Sequence, residues 1–424
     1  MVKKTIAIFL ATLCCLAGCQ TRSHEENEPS EASAPVIVIE SDSHDEQSRS
    51  NAVILNYASM PDEPQAAAQE APDSCFDEEA IRAEMLEVAE ACLPLYREMR
   101  RSNIFLPTEG EKKSLLATVA GMGHPSAGEN IDMTNYQQVL DFYALVEAGQ
   151  KGDVGIYTWN NGLIRTCFHT ENGSVYRTHL TLDWSESFEP IVSPVTYTHE
   201  DEIFLLTEKG WLFYGEEKPP SGHYAYKSGL RVLPLGEDLR RMTAYLEPLV
   251  TYGGNDVLST SWSDPTEINF NDLFEYLYYY ETGTPPDSAF KDAYEFQKPY
   301  IKAVPAADFE ALIQKYFDIS EVKLRELCVY DPERQVYAMM TLMHPLYVPD
   351  WEVVSSTQYN DGSIELTVHA VSLSHGRDQV AAHRLRVMPL PDGTFHYLSN
   401  TIDYAEVNSD GMRSFPDYSP RITK

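Results

Sequence analysis

The chain is 424 residues long and 43% apolar, with 65 Asp and Glu against 32 Lys and Arg, a formal charge of −33. A field of that sign repels phosphate backbones, so nucleic acid is excluded as a partner. The length exceeds one average domain, and the apolar content with five tryptophans suffices for two packed cores.

Lys3 and Lys4 open the chain, followed by an uncharged apolar run from Ile6 to Leu16. Such a run is too short to span a bilayer, which takes about 20 apolar residues, but it suits a secretory signal. It ends in Leu16-Ala17-Gly18-Cys19, which resembles the lipobox of bacterial lipoproteins. The resemblance implies that residues 1–18 are removed and that the Cys19 sulfur, the nucleophile of the reaction, carries a diacylglycerol. Two or more acyl chains then anchor the protein stably on the extracytoplasmic face of the cell membrane. Residues 19–72 read as a disordered acidic tether. From Gln20 to Pro72 eleven Asp and Glu stand against Arg22 and Arg49, with too little apolar surface to order the segment. A flexible chain of that length spans roughly 40 Å. Its two apolar islands, Val36–Ile39 and Ala52–Leu55, read as sticky spots without fixed structure, although either is able to add a strand to an open sheet edge.

Two α+β domains are expected next, over 73–257 and 258–424, each made of helices packed on one face of an antiparallel meander sheet. In the first, Ile81, Met85, Val88, Cys92, Tyr96 and Met99 recur at helical spacing, with Ser74 and Asp77 as a capping pair and Pro94 as a kink or break. A second helix is expected near Glu111–Ala120. A third starts at Thr134, with Gln137 completing a capping box, and buries Val139, Leu140, Tyr143 and Val146. The period then changes to two, with hairpin turns at Asn160-Asn161-Gly162 and Glu171-Asn172-Gly173. The meander continues to Leu235.

The second domain repeats the order. Asn271 is expected to cap a helix carrying Phe274, Leu277 and Tyr278. Pro305 begins another and Ser320 a third. Strands follow, with turns at Asp361-Gly362 and Asp392-Gly393 and an alternation in which Ile364, Leu366, Val368 and Ala370 face one way and Glu365, Thr367 and His369 the other.

Removing the signal and the anchor leaves Cys75, Cys92, Cys167 and Cys328, without CxxC or zinc spacing. Free buried thiols are expected, a Cys167–Cys328 bridge being the other arrangement left open. No HExxH, GxSxG, P-loop or GxGxxG occurs. Ser288-Ala289-Phe290-Lys291 has SxxK spacing, but no partner motif follows in the order that penicillin-interactive enzymes need, and Ser288 reads as a helix cap. If Ser374–Asp378 is a hairpin loop, His369 and His383 face each other across adjacent strands and begin a metal site that still lacks a third ligand. The alternative is a solvated polar pair. Trp184 among Asp183, Glu186 and Glu189, and Trp262 beside Asp264, mix aromatic and acid as glycan sites do. Tyr279 and Tyr280 crowd one helix end, either as a stacking platform or as a wedge between layers.

Several segments resemble a family of Gram-positive surface lipoproteins that is itself a domain of unknown function. They are Leu230–Leu235, Asn269–Tyr278, Pro305–Phe317, Asp361–Val368 and Gly393–Asn400. The resemblance implies a wall-facing anchored protein and brings no activity with it. The expected function is therefore a lipid-anchored extracytoplasmic role in binding or envelope assembly, non-enzymatic and without a cofactor. A glycan, a peptide or another surface protein is the expected partner. The alternative is a secreted hydrolase acting on cell-wall polymer.

Overall fold

In the computed structural model the described residues are 76–100, 108–128, 130–159, 162–195, 198–216, 227–250, 256–292, 301–340, 349–406 and 422. The expected signal peptide, Cys19, the tether, Cys75 and the Asn160-Asn161 turn lie outside them. All described residues fall in one compact unit. None of their helices is long and apolar enough to cross a membrane.

The chain runs α1 (Glu78–Met99), α2 (Glu109–Gly121), β1 (Ser126–Gly128), β2 (Ile131–Thr134) and α3 (Gln137–Glu147). The strands β3 (Gly152–Trp159), β4 (Leu163–Glu171), β5 (Ser174–Trp184), β6 (Pro190–Val192) and β7 (His199–Asp201) come next. Then follow β8 (Ile203–Leu206), β9 (Trp211–Gly215), β10 (Lys227–Arg231), α4 (Glu237–Met242) and α5 (Asp256–Ser259). The second half holds α6 (Phe270–Thr282), α7 (Pro286–Ala289), β11 (Lys291–Asp292), β12 (Ile301–Pro305), α8 (Ala306–Tyr316) and α9 (Glu321–Leu327). It ends with β13 (Tyr330–Asp331), β14 (Val336–Met340), β15 (Asp350–Gln358), β16 (Ile364–Ser372), β17 (Arg377–Pro389) and β18 (Phe395–Ala405). The fold is α+β.

The largest sheet has the order β2-β1-β3-β4-β5-β6, with β7 also on β5. Its centre is a meander closed at Asn172 (φ 56°) and Gly173 (φ 85°), the left-handed pair that a tight hairpin turn requires. Among the described residues only β1 enters parallel to its neighbour, pairing Ser126 with Tyr157 and Ala127 with Thr158 of β3. Helices were expected on one face of this sheet; both faces are covered. Helices α1 and α2 bury Leu163, Leu180, Leu182 and Trp184 on one side. On the other, Phe142 of α3 meets Ile156 and Phe168 together with Leu212 and Tyr214 from the three-stranded sheet β10-β9-β8. Double coverage fits the run of buried residues from Arg165 to Thr170, where strict alternation fails.

Pro94 does not split α1, which continues to Met99 and stacks Tyr96 on Trp184 at 4.1 Å. Asp77 caps its start, accepting from the Ala80 N–H, and Ser74 lies outside the described residues. Thr134 is not the cap of α3. It ends β2, and its hydroxyl meets that of Ser126 at 2.8 Å, while α3 begins after Tyr136 without a side-chain cap.

In the second half α6 packs on β14 and α8 on β12 and β18. The helices thus fill the space between the sheets β11-β12-β14-β13 and β15-β16-β17-β18, in one core that runs from Leu246 to Tyr397. The boundary expected after Val257 falls inside α5, where Val257 and Leu258 are both buried in that core. The two halves meet where Trp211 and Phe213 of β9 pack on Val371 of β16. There the Trp211 Nε1–H donates to Glu352 Oε1 at 3.2 Å, and Arg231 Nε lies 3.4 Å from Glu352 Oε2.

Candidate functional site

The aromatic residues singled out from the sequence are core. Trp184 and Trp262 are each 3% exposed and Tyr279 is 2%, so none offers a face to a sugar ring. Tyr280 is half-buried, and its hydroxyl donates to Glu247 at 3.1 Å. The tyrosine-rich helix is a wedge between layers, because α6 is buried on nearly every side.

The structure does not bring His369 and His383 together. Symmetry about Gly376 would pair them, but an irregularity between Ala370 and Ser372 slips the register, so that His383 pairs with Val368 and His369 with Ala382. A one-residue slip sends the imidazoles to opposite faces. His383 is fully buried, edge-on to Trp351 and 3.3 Å from Asn400. His369 sits opposite Glu352 at the seam between the halves. Among the described residues no three His, Cys, Asp or Glu side chains could hold a metal ion.

A cleft of about 600 Å³ opens elsewhere, at the edge of β3. Its walls are the first turns of α1 (Asp77, Ala80, Ile81, Glu84) and the inner side of α3 (Gln138, Asp141, Phe142, Leu145). Its floor is Asp153, Val154 and Gly155, flanked by Arg165 and Cys167 of β4, and His124 and Pro125 close one end. The cleft exists because β1 is only three residues long and covers β3 at Tyr157 and Thr158 alone.

The lining itself carries a partly buried polar cluster. Arg165 grips Glu84 with two hydrogen bonds, Nε to Oε1 at 2.9 Å and Nη2 to Oε2 at 2.8 Å. The Tyr157 hydroxyl donates to the same carboxylate at 2.9 Å, and His124 Nδ1 approaches it to 3.5 Å. Gly155 is what admits the guanidinium, since a Cβ there would lie 2.6 Å from the Arg165 Cζ. Arg165 also touches the Cys167 sulfur. Burial nevertheless pushes the Cys167 thiol up to about 11, against the pull of that guanidinium, so it stays protonated and is a poor nucleophile. Two residue pairs further along the strands, His169 Nδ1 meets Asp153 Oδ1 at 2.6 Å.

A model of a family of unknown function (DUF6070) matches residues 78–421. The chain belongs to that family. No curated protein and no solved structure matches it. The match to DUF6070 begins at the first residue of α1 and takes in the cleft lining and both cores apart from Phe76 and Asp77, which precede it. Within this DUF6070 region Cys92, Cys167 and Cys328 are buried and outside any disulfide, Cys167 in the N-terminal core and Cys328 in the C-terminal one, so no bridge joins them. Ser288 is not the helix cap expected: it lies inside α7, which starts after Pro285 without a side-chain cap, and its hydroxyl donates back to the Pro285 carbonyl at 2.7 Å.

The cleft residues carried one signal in the sequence. Arg165, Cys167 and His169 are chemically active residues at every second position of one strand, with Cys167 opposite a glycine in the middle of the neighbouring strand.

Proposed function

We propose that the protein is a lipid-anchored, extracytoplasmic binding protein whose ligand enters the cleft between α1, α3 and β3. The observation that carries the reading is the cleft itself: concave, half apolar, and built on two helices and a strand whose buried charges are already paired. A site with satisfied charges holds its shape before a ligand arrives, and the one thiol in it is held protonated. The short apolar leader, the lipobox-like segment and the acidic tether support the address, with Cys19 as the lipidated residue and the Gram-positive cell surface as the setting. Mass spectrometry of the mature N-terminus reads the anchor directly; an unmodified Cys19 overturns that part.

The binding role is tested by titrating the purified full-length protein with peptidoglycan fragments and short peptides, using calorimetry. Ala80 is exposed on the cleft wall. Ala80→Trp should therefore fill the cleft and weaken binding at least tenfold while leaving thermal unfolding in place. Equal affinity in wild type and variant would remove the cleft from the function. Steady turnover of wall polymer would favour the hydrolase instead.

A further inference from the structure

The floor of the cleft is an open strand edge. β3 pairs with β4 without interruption from Gly152 to Trp159. The Tyr157 N–H points the other way and donates to the Pro125 carbonyl at 2.9 Å. Backbone groups two residues apart on a strand point to the same side. Gly155 and Asp153 therefore direct one N–H and one C=O each into the cleft, and no described strand pairs with them there. An edge of this kind is a ready template for another strand.

The walls select what can lie along it. Asp77, Glu84, Asp141 and Asp153 line the cleft against a single guanidinium, Arg165, which Glu84 already holds. Ile81, Phe142 and Leu145 supply the apolar share of the walls. Side chains of an added strand alternate between its two faces, so one face would meet α1 and the other α3.

We infer that the cleft binds an extended, basic peptide segment that adds to β3 as a strand, its backbone pairing with Asp153 and Gly155 and its Lys or Arg side chains lying against the acidic walls. This rests on the reading of the cleft as a ligand site and names the ligand class. Strand addition draws affinity from main-chain hydrogen bonds and selectivity from alternate side chains. The net negative charge of the whole chain speeds the approach of such a partner.

The test uses the full-length protein and a synthetic peptide of alternating lysine and valine. Two analogues carry N-methyl groups on one or the other alternate set of amides, and a third replaces lysine by glutamate. The parent peptide should bind and protect the Gly155 and Asp153 amides from hydrogen exchange. One N-methyl analogue should bind at least tenfold more weakly and the other nearly as well, because only one edge of the ligand strand pairs. The glutamate analogue should not bind, and Asp141→Asn should weaken the parent roughly two- to fivefold. Two N-methyl analogues that both match the parent would overturn strand addition while leaving the cleft reading intact, provided Ala80→Trp still blocks binding. Preference for the glutamate peptide, or no binding of any peptide, overturns the inference, and the titration with wall fragments then judges the cleft by itself.

Discussion

Gly155 shows how one missing methyl group organises a site. Because nothing projects from its Cα, the Arg165 guanidinium lies flat across β3 and reaches Glu84 on α1. Gly155→Ala should push that guanidinium off its partner and cost about 1–3 kcal/mol, the usual range for overpacking. Urea denaturation measures the loss. In Arg165→Met the same Gly155→Ala change should cost much less, because the clash has gone, and simple additivity would refute the account. At this scale little of the site was legible beforehand. Trp184 and Tyr279 look alike in sequence whether they stack on a sugar or on a neighbouring helix, and only the partner across the layer (Tyr96, in the case of Trp184) decides. The Arg165–Glu84 pair joins positions 81 residues apart, a separation that no local pattern encodes.

Elements were more legible than residues. Helical spacing placed α1, α6 and α8, and the turns at Asn172-Gly173, Asp361-Gly362 and Asp392-Gly393 sit where the sequence predicts them. Caps were less so. Asn269, not Asn271, caps α6, and it also donates to the Ile422 carbonyl at 2.7 Å. Asn271 lies inside the helix and stitches it to the sheet. Its side chain accepts from the Val329 N–H at 2.8 Å and donates to the Ala338 carbonyl at 2.5 Å. Asn271→Leu leaves a buried donor and a buried acceptor without their partner, and should cost about 1–3 kcal/mol. Thermal unfolding followed by circular dichroism checks this; a change within error would mean that water replaces the amide. The slip in β16 was beyond prediction for a related reason. A bulge is a compromise between turn geometry and the packing of both strands, so counting outward from Gly376 cannot locate it.

Across the whole molecule the two halves are joined by a charged seam as well as by packing. Glu352 is 4% exposed, and burial raises its carboxyl above the usual value of 4.5, although Arg231 and the Trp211 N–H pull the other way. Between pH 4.5 and that raised value the folded state therefore keeps a proton on Glu352 that the unfolded chain has released. Its favourable contribution is fully present below about pH 4.5 and is lost as pH rises through the elevated folded value. Glu352→Gln abolishes that loss. The variant should gain stability relative to wild type as pH increases from 4.5 towards neutrality, read from denaturation midpoints along a pH series. A gap that stays constant or narrows would show that Arg231 keeps the carboxylate ionised throughout. The helices-then-meander order read from the sequence holds only in outline, because β1 and β2 precede α3 and β11 and β12 precede α8. The seam was not visible in the sequence, because it depends on which faces of two sheets meet.

The parallel contact, β1 beside β3, also bears on the order of assembly. The β3–β4–β5 meander closes through near neighbours, but β1 can dock on β3 only after α3 has been laid down between them. Sequence separation alone therefore predicts that β1 docks on β3 after the meander has closed. A partner strand would then add to a sheet whose local pairings are complete without it.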